Sequence, residues 1–176
     1  MSQVIKIDLH DRKFRSLLSE EKELAGVHYV CSKLALLGFI PVVLSRKMKH
    51  VDLIVFNQDN HKSLPLQVKT AFTDQDYVDI GHFKSEQDFK ARVFPFHVFI
   101  RFVSNDITKV HCYVLTGQET KEFTEKSLQE YINGKHRKPK DQLKIYDRVG
   151  IKRKYLEENK DRWDKIITEL DNPKTP

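Results

Sequence analysis

The sequence predicts an α/β domain, with one mixed β-sheet of about five strands flanked by helices. Three observations lead to this prediction. Apolar residues recur at three- and four-residue spacing over residues 18–37, which is typical of a helix. Five short segments rich in β-branched and aromatic residues follow, separated by turn residues. The 176 residues suit one domain spanning 1–176, with a core at 18–116 and a C-terminal helical, basic extension at 117–176.

The first predicted helix has recognisable ends. Ser19 is a favourable N-cap, and Glu20 and Glu21 follow it near the positive end of the helix dipole. Gly38 comes directly after the last periodic residue. Glycine adopts the left-handed conformation without strain and often ends a helix in this way. These residues therefore predict one helix that stops shortly before the first strand.

The five predicted strands lie at residues 39–44, 51–56, 64–70, 94–103 and 109–115. Pro41 indicates that the first strand is at an edge or begins there. Polar residues between the second and third strands predict a hairpin. Side chains alternate along a strand, so Leu66 and Val68 should lie on one face of the third strand. Gln67 and Lys69 should then lie on the other face.

The other segments carry less regular patterns. Residues 73–90 are polar and predict a loop with a short helix, while helices are predicted over residues 119–132 and 152–170. The predicted order is therefore a helix, three strands, a connection, two strands and two helices. This order is typical of one mixed sheet covered by helices.

Composition limits the classes of protein to which the chain could belong. No apolar run approaches the roughly 18 residues of a membrane helix, and the N-terminal residues contain no signal-peptide hydrophobic segment. Cys31 and Cys112 have no CxxC or CxxH partners, which suits a reducing compartment and argues against disulfides and structural zinc. We therefore expect a cytoplasmic protein without a membrane partner.

The net charge of +6 indicates an anionic partner. Residues 135–165 contain twelve Lys or Arg and six Asp or Glu, so the whole excess lies in this segment. It can attract a nucleic-acid backbone, although a solvated charged surface explains it equally well. A basic turn precedes Asp52 and has the same two explanations. The candidate phosphate contacts of the two segments are Arg46, Lys47 and Lys49, and Arg137, Lys138 and Lys140.

Asp52, Gln67 and Lys69 form the candidate catalytic set. Asp52 lies in an otherwise apolar strand, where an ionised carboxylate rarely stays without a partner. Gln67 and Lys69 have the two-residue spacing that puts both side chains on one strand face. An antiparallel hairpin can bring Asp52 beside them. Oxygen ligands for a hard cation near a lysine are what metal-assisted phosphodiester cleavage requires.

The segment 25–70 resembles the core of the PD-(D/E)XK nuclease superfamily, which includes restriction endonucleases and archaeal Holliday-junction resolvases. The resemblance rests on the Gly38-Phe39 helix stop, on Asp52 and on Gln67-Val68-Lys69, in that order. The QVKT ending is similar to the bacterial branch that carries Gln-x-Lys. The resemblance implies a restriction-endonuclease-like α-β-β-β-α-β core.

The resemblance also implies roles for these residues. Asp52 and Gln67 would bind Mg²⁺ or Mn²⁺ together with the Val68 backbone carbonyl. Lys69 would orient or activate the attacking water and stabilise charge on the phosphate. Because Gln67 is neutral where the family more often has Glu, cation binding should be weaker than with two carboxylates.

Val27 is the main departure from the family pattern. It lies eleven residues before Gly38, where the family often has Glu, and an apolar side chain cannot bind a metal ion. Glu23 and Glu20 lie one and two turns earlier near the same helix face, and either is a candidate replacement ligand. If that face meets the site, Val27→Glu should strengthen metal binding.

Three functions are consistent with these residues. The first is an Mg²⁺-dependent nuclease, acting as an endonuclease on DNA. The second is a catalytically impaired nuclease-fold module that binds nucleic acid or a protein. The third is a regulatory or assembly domain in which Asp52 and Lys69 form a purely structural ion pair. Nucleic acid is the expected partner, and a homodimer is compatible with each function.

Overall fold

The computed structural model describes residues 19–44, 50–71, 77–103, 106–134 and 149–172. Both sets of candidate phosphate contacts, at 46–49 and 137–140, lie outside these residues. The helices are α1 (Ser19–Leu36), α2 (Glu86–Ala91), α3 (Gly117–Asn133) and α4 (Asp164–Asp171). The strands are β1 (Ile40–Val43), β2 (Leu53–Phe56), β3 (Ser63–Ala71), β4 (Tyr77–Gly81), β5 (Phe96–Val103), β6 (Asp106–Leu115) and β7 (Val149–Lys152).

Helix α1 ends where the sequence predicts. Gly38 has a φ of 90°, and its N–H donates to the Ala35 carbonyl while the Phe39 N–H donates to the Leu34 carbonyl. This pair of bonds satisfies carbonyls that the end of a helix would otherwise leave open. Phe39 and Leu34 are also both buried in the same core, so the turn directs the chain into β1.

The main sheet has five strands in the order β1-β2-β3-β5-β6. Strands β3 and β5 are parallel, and the other neighbouring pairs are antiparallel. Parallel neighbours require a crossover, which here includes α2. This architecture confirms the predicted fold class of a mixed sheet flanked by helices.

Each face of the main sheet is covered by a different layer. We call the side of Leu66 and Val68 the first face, and it packs against α1 and α4. The opposite side, which carries His97 and Phe99, is the second face. The second face is covered by α2, α3 and the two-stranded sheet of β4 and β7. The central strands are therefore enclosed between two layers.

Strand β4 is a correction to the loop predicted at residues 73–90. It pairs with β7, which lies far away in the sequence, and its apolar residues Val78 and Ile80 pack under that pairing. A strand of five residues offers too few alternations to be recognised without its partner. The short helix that was predicted in the same segment is α2.

The predicted helix over residues 152–170 is also wrong over most of its length. The segment contains the end of β7, then two short 3-10 helices, Arg153–Tyr155 and Glu157–Asn159, and only then α4. The Asp161 N–H donates to the Cys112 carbonyl at 2.8 Å, and Asp161 has a φ of 54°. This contact with β6 overrides the helix propensity of the segment. The C-terminal extension is thus not simply helical.

The described part of the chain contains no helix long and apolar enough to cross a membrane.

Candidate active site

Asp52 is held at the start of β2 by its own main chain. Its N–H donates to the Leu66 carbonyl, and its carbonyl accepts from the Leu44 N–H, both at 2.9 Å. The β2–β3 ladder ends at the pair of Leu53 and Leu66, so β3 continues past the end of β2. The Val68 N–H lies on this free stretch and donates to Oδ2 of Asp52 at 2.7 Å. The carboxylate is therefore held against the main chain of β3 at Val68.

The hydrogen bond from Val68 gives Asp52 a structural role that the sequence does not predict. Among the described residues, the second carboxylate oxygen Oδ1 makes no hydrogen bond and remains open to another partner. No ion pair between described residues joins Asp52 to Lys69. These two residues therefore do not form the structural ion pair on which the third sequence-based function rested.

Gln67 and Lys69 follow the predicted alternation. Val68 packs in the core of the first face, while Gln67 pairs in register with His97 and Lys69 with Phe99 on the second face. Gln67 is only 8% exposed, and Lys69 is half-buried. Both residues therefore lie on the face of β3 that the sequence predicts.

His97 is a neighbour of the site that the sequence alone does not reveal. It is fully buried, and its Nδ1 lies 2.9 Å from the Pro95 carbonyl oxygen. Its Nε2 is buried and has no hydrogen-bond partner in the described part of the chain. Burial, assisted by the positive charges of Lys69 and His50, lowers the pKa of His97 to about 4, although the bond to Pro95 opposes this shift. The parallel register with Gln67 and the nearby charge of Lys69 associate His97 with the site.

Val27 and Glu23 do not join this arrangement. Val27 is 5% exposed and packs in the first-face core, on the opposite side of the sheet from Gln67 and Lys69. Glu23 lies one turn earlier on the same helix and is exposed. The position of Val27 in this core does not support the expectation that Val27→Glu strengthens metal binding. A replacement role for Glu23 stays a prediction.

The basic excess near the C-terminus is largely neutralised where the structure describes it. Of the six Lys and Arg residues between 149 and 165, five form ion pairs. The pairs are Lys152 and Lys154 with Glu130, Arg153 with Glu157, Arg162 with Asp164, and Lys165 with Glu119. Glu130 takes part in two of these pairs, and its bonds to Lys152, Lys154 and Tyr155 lower its pKa to about 2. Most basic residues described in this segment are therefore paired with acidic residues of the same chain.

The donor set fits a hard divalent cation only in part. Within the described residues, no group of three or more His, Cys, Asp or Glu side chains could hold a metal ion. The candidate ligands are one carboxylate, on Asp52, with the Gln67 amide oxygen and the Val68 carbonyl. All three are oxygen donors, which Mg²⁺ and Mn²⁺ accept, but only one carries charge. The arrangement suits weak binding of such a cation.

No family model and no curated protein matches this chain.

Proposed function

We propose that the protein is a metal-dependent phosphodiester hydrolase acting on nucleic acid, with DNA as the expected substrate. The observation that carries this proposal is the position of the Asp52 carboxylate on β3. Its Oδ2 is bonded to the Val68 N–H, so the carboxylate contacts the main chain in the middle of the Gln67-Val68-Lys69 segment. This contact supports the proposal because cleavage needs an acidic oxygen close to these residues.

Each residue has a distinct task in this proposal. Asp52 supplies the charged oxygen through Oδ1, while Gln67 and the Val68 carbonyl add neutral oxygens. A bound Mg²⁺ or Mn²⁺ would polarise the phosphate and lower the pKa of a bound water. Lys69 stands one residue beyond Val68 and offers an ammonium to the phosphate or to the attacking water. The half-buried position of Lys69 excludes part of the solvent that would otherwise screen its charge.

The site favours Mn²⁺ over Mg²⁺. A single carboxylate leaves the cation dependent on neutral donors, and Mn²⁺ binds such mixed ligand sets more tightly than Mg²⁺ does. We expect cleavage to be stronger with Mn²⁺ at equal concentration. Rates that are equal with the two metals would count against a site with one carboxylate.

Asp52→Asn separates the catalytic from the structural use of Asp52. Asparagine retains a side-chain oxygen that can accept the Val68 N–H, but it removes the negative charge. We expect Asp52→Asn to keep the fold and to lose cleavage of plasmid, linear and branched DNA, measured with Mn²⁺. Lys69→Ala should lose cleavage as well. Lys33→Ala is the matched control, because it removes an exposed lysine of α1 and should cleave like the wild type.

A module that binds nucleic acid without cutting it is the second candidate. The valine at position 27, which packs in the first-face core, supports it, because the first helix then has no carboxylate where the family often has Glu. In that case the wild type would bind DNA or RNA and cleave neither with Mg²⁺ nor with Mn²⁺. Asp52→Asn and Lys69→Ala would then change binding at most, and the hydrolase proposal would be abandoned.

A further inference from the structure

We propose that His97 is a positioning residue of the candidate site, and this inference rests on the hydrolase proposal. Its Nε2 accepts a hydrogen bond from the side-chain NH₂ of Gln67 when the site is loaded. The amide oxygen of Gln67 is thereby turned toward the cation. The role follows from three features of the second face: the bonding of Nδ1, the open Nε2 and the register between the two residues.

The bonding of the imidazole ring defines Nε2 as an acceptor. Nδ1 lies 2.9 Å from the Pro95 carbonyl oxygen, and a carbonyl oxygen can only accept, so Nδ1 carries the hydrogen. Thr120 Oγ1 lies 3.4 Å from the same Nδ1 and fixes this end of the ring against α3. In the neutral ring, Nε2 then presents a lone pair, which is buried and has no partner among the described residues.

A buried acceptor without a donor is an unfavourable arrangement. Leaving such a group unsatisfied costs roughly 1–3 kcal/mol, so a donor that moves into reach is bound. Gln67 is the register partner of His97 across the parallel strands, and both side chains lie buried on the second face. The amide NH₂ of Gln67 is therefore the donor nearest in register to Nε2.

Gln67 needs such a neighbour because its amide has two unlike ends. Only the oxygen can bind a cation, whereas the NH₂ end, which is similar in size, would repel it. A glutamate has two oxygens and would bind in either orientation. A nitrogen lone pair beside Gln67 accepts the NH₂ end and disfavours the oxygen end. His97 thus suits the glutamine that this chain carries in place of the commoner glutamate.

Lys69 is a second donor on this part of the second face, and the charge of the exposed His50 also acts on His97. Lys69 pairs in register with Phe99, one alternation further along β5, and its charge acts on His97. A bond from Lys69 to Nε2 would make the effect of His97 independent of the residue at position 67. The effect of His97→Asn on Mn²⁺ binding should therefore depend on the residue at position 67 if Gln67 is the donor, and should not depend on it if Lys69 is.

Mn²⁺ binding to four full-length proteins, measured by calorimetry without nucleic acid, tests the inference. The proteins are the wild type, His97→Asn, Gln67→Glu and the double variant. Asparagine keeps a donor at the position of Nδ1 but has no acceptor at the position of Nε2. We expect His97→Asn to weaken Mn²⁺ binding about 10–100-fold in the otherwise wild-type protein, as is usual for a residue that orients a ligand. We expect no loss when His97→Asn is combined with Gln67→Glu.

His97→Gln is the conservative variant, because its side-chain oxygen can take the position of Nε2 as an acceptor. It should restore most of the Mn²⁺ affinity that His97→Asn loses. Thermal unfolding of each variant shows that the protein measured is folded. Recovery in His97→Gln would separate the acceptor at Nε2 from the packing of the ring against Phe99.

Three results would overturn the inference. An equal effect of His97→Asn with and without Gln67→Glu would assign that effect to Lys69 or to packing. A His97→Gln variant that binds as weakly as His97→Asn would exclude an acceptor role. If neither the wild type nor Gln67→Glu bound Mn²⁺, the hydrolase proposal would fail and the inference with it. The first two results leave the hydrolase proposal standing.

Discussion

At the residue scale, His97 shows how burial changes the chemistry of a side chain that looks ordinary in the sequence. A lone histidine in a strand pattern is most often a packing residue, and nothing local marks His97 otherwise. Its relation to Gln67 arises from the parallel register of β3 and β5, which depends on a long crossover between the two strands. In contrast, the pairing of the Asp52 strand with β3 and the alternation of Gln67 and Lys69 could be predicted, because both depend only on residues close in the sequence.

The lowered pKa of His97 predicts a loss of stability in mild acid. The unfolded chain takes up a proton near the ordinary histidine pKa of about 6.5, whereas the folded protein takes it up only near 4. The free energy of unfolding should therefore fall as the pH falls through this window. From pH 7 to pH 5 the contribution of His97 is about 2 kcal/mol.

Urea unfolding of the wild type and His97→Asn at pH 7 and pH 5 measures this contribution. The wild type should lose about 2 kcal/mol more than the variant between the two pH values. If both proteins show the same pH dependence, His97 is already protonated in the folded protein or is accessible to water.

Val27 departs from the family pattern in the sequence, and the structure shows that its side chain packs in the first-face core. Val27→Glu should destabilise the protein by about 3–5 kcal/mol, because it leaves an unpaired charge in the first-face core. Leu24→Glu introduces the same side chain at an exposed position of the same helix and should change stability by less than about 0.5 kcal/mol. Urea unfolding at pH 7 compares the two. Similar stabilities would mean that Val27 is accessible to water in solution.

At the element scale, the features that could be predicted are those set by local sequence. The end of α1 at Gly38 and the alternation along β3 need only a few neighbouring residues. Strands β4 and β7 could not be predicted, because each is short and is stabilised by the other across a long separation in sequence. The same applies to the segment after β7, where the bond from Asp161 to Cys112 replaces the helix that its composition favours.

The end of α1 provides a test at this scale. Gly38→Ala should reduce the free energy of unfolding by about 1–2 kcal/mol, because alanine at a φ of 90° is strained. Space is not the cause, since an added Cβ at this position meets no atom within 4 Å. Gly38→Asn should lose less than Gly38→Ala, because asparagine tolerates this conformation better. Equal stability of glycine and alanine in thermal unfolding would contradict the strain.

At the scale of the whole molecule, charge is distributed less simply than the sequence suggests. The net charge comes from the C-terminal quarter of the chain, but most of the basic residues described there have acidic partners on α3 or close by. Composition reveals an excess of charge but not its pairing, because the partners come from distant segments. Any free positive charge for nucleic acid should therefore come from other basic residues.

This pairing predicts which substitutions alter the salt dependence of nucleic-acid binding. Replacing Arg137, Lys138 and Lys140 by Ser should flatten the slope of log K against log salt by roughly one for each phosphate that is no longer neutralised. Replacing Lys152 and Lys154 by Ser should leave the slope nearly unchanged, because both are engaged by Glu130. Fluorescence titrations with a DNA duplex at several salt concentrations measure both slopes. A slope that flattens for the Lys152 and Lys154 variant but not for the Arg137, Lys138 and Lys140 variant would show that the ion pairs open on binding.

Both layers that cover the main sheet include residues from late in the chain, and this order affects folding during biosynthesis. The first-face core includes Ile166 and Leu170 of α4, and the second-face core includes Val149 and Ile151 of β7. Both cores therefore need residues that the ribosome makes late, although the strands at their centre are made early. Until these residues emerge, the first face is covered by α1 without α4, and the second face lacks β7, so part of each apolar face is exposed. We expect the growing chain to be prone to aggregation during that interval.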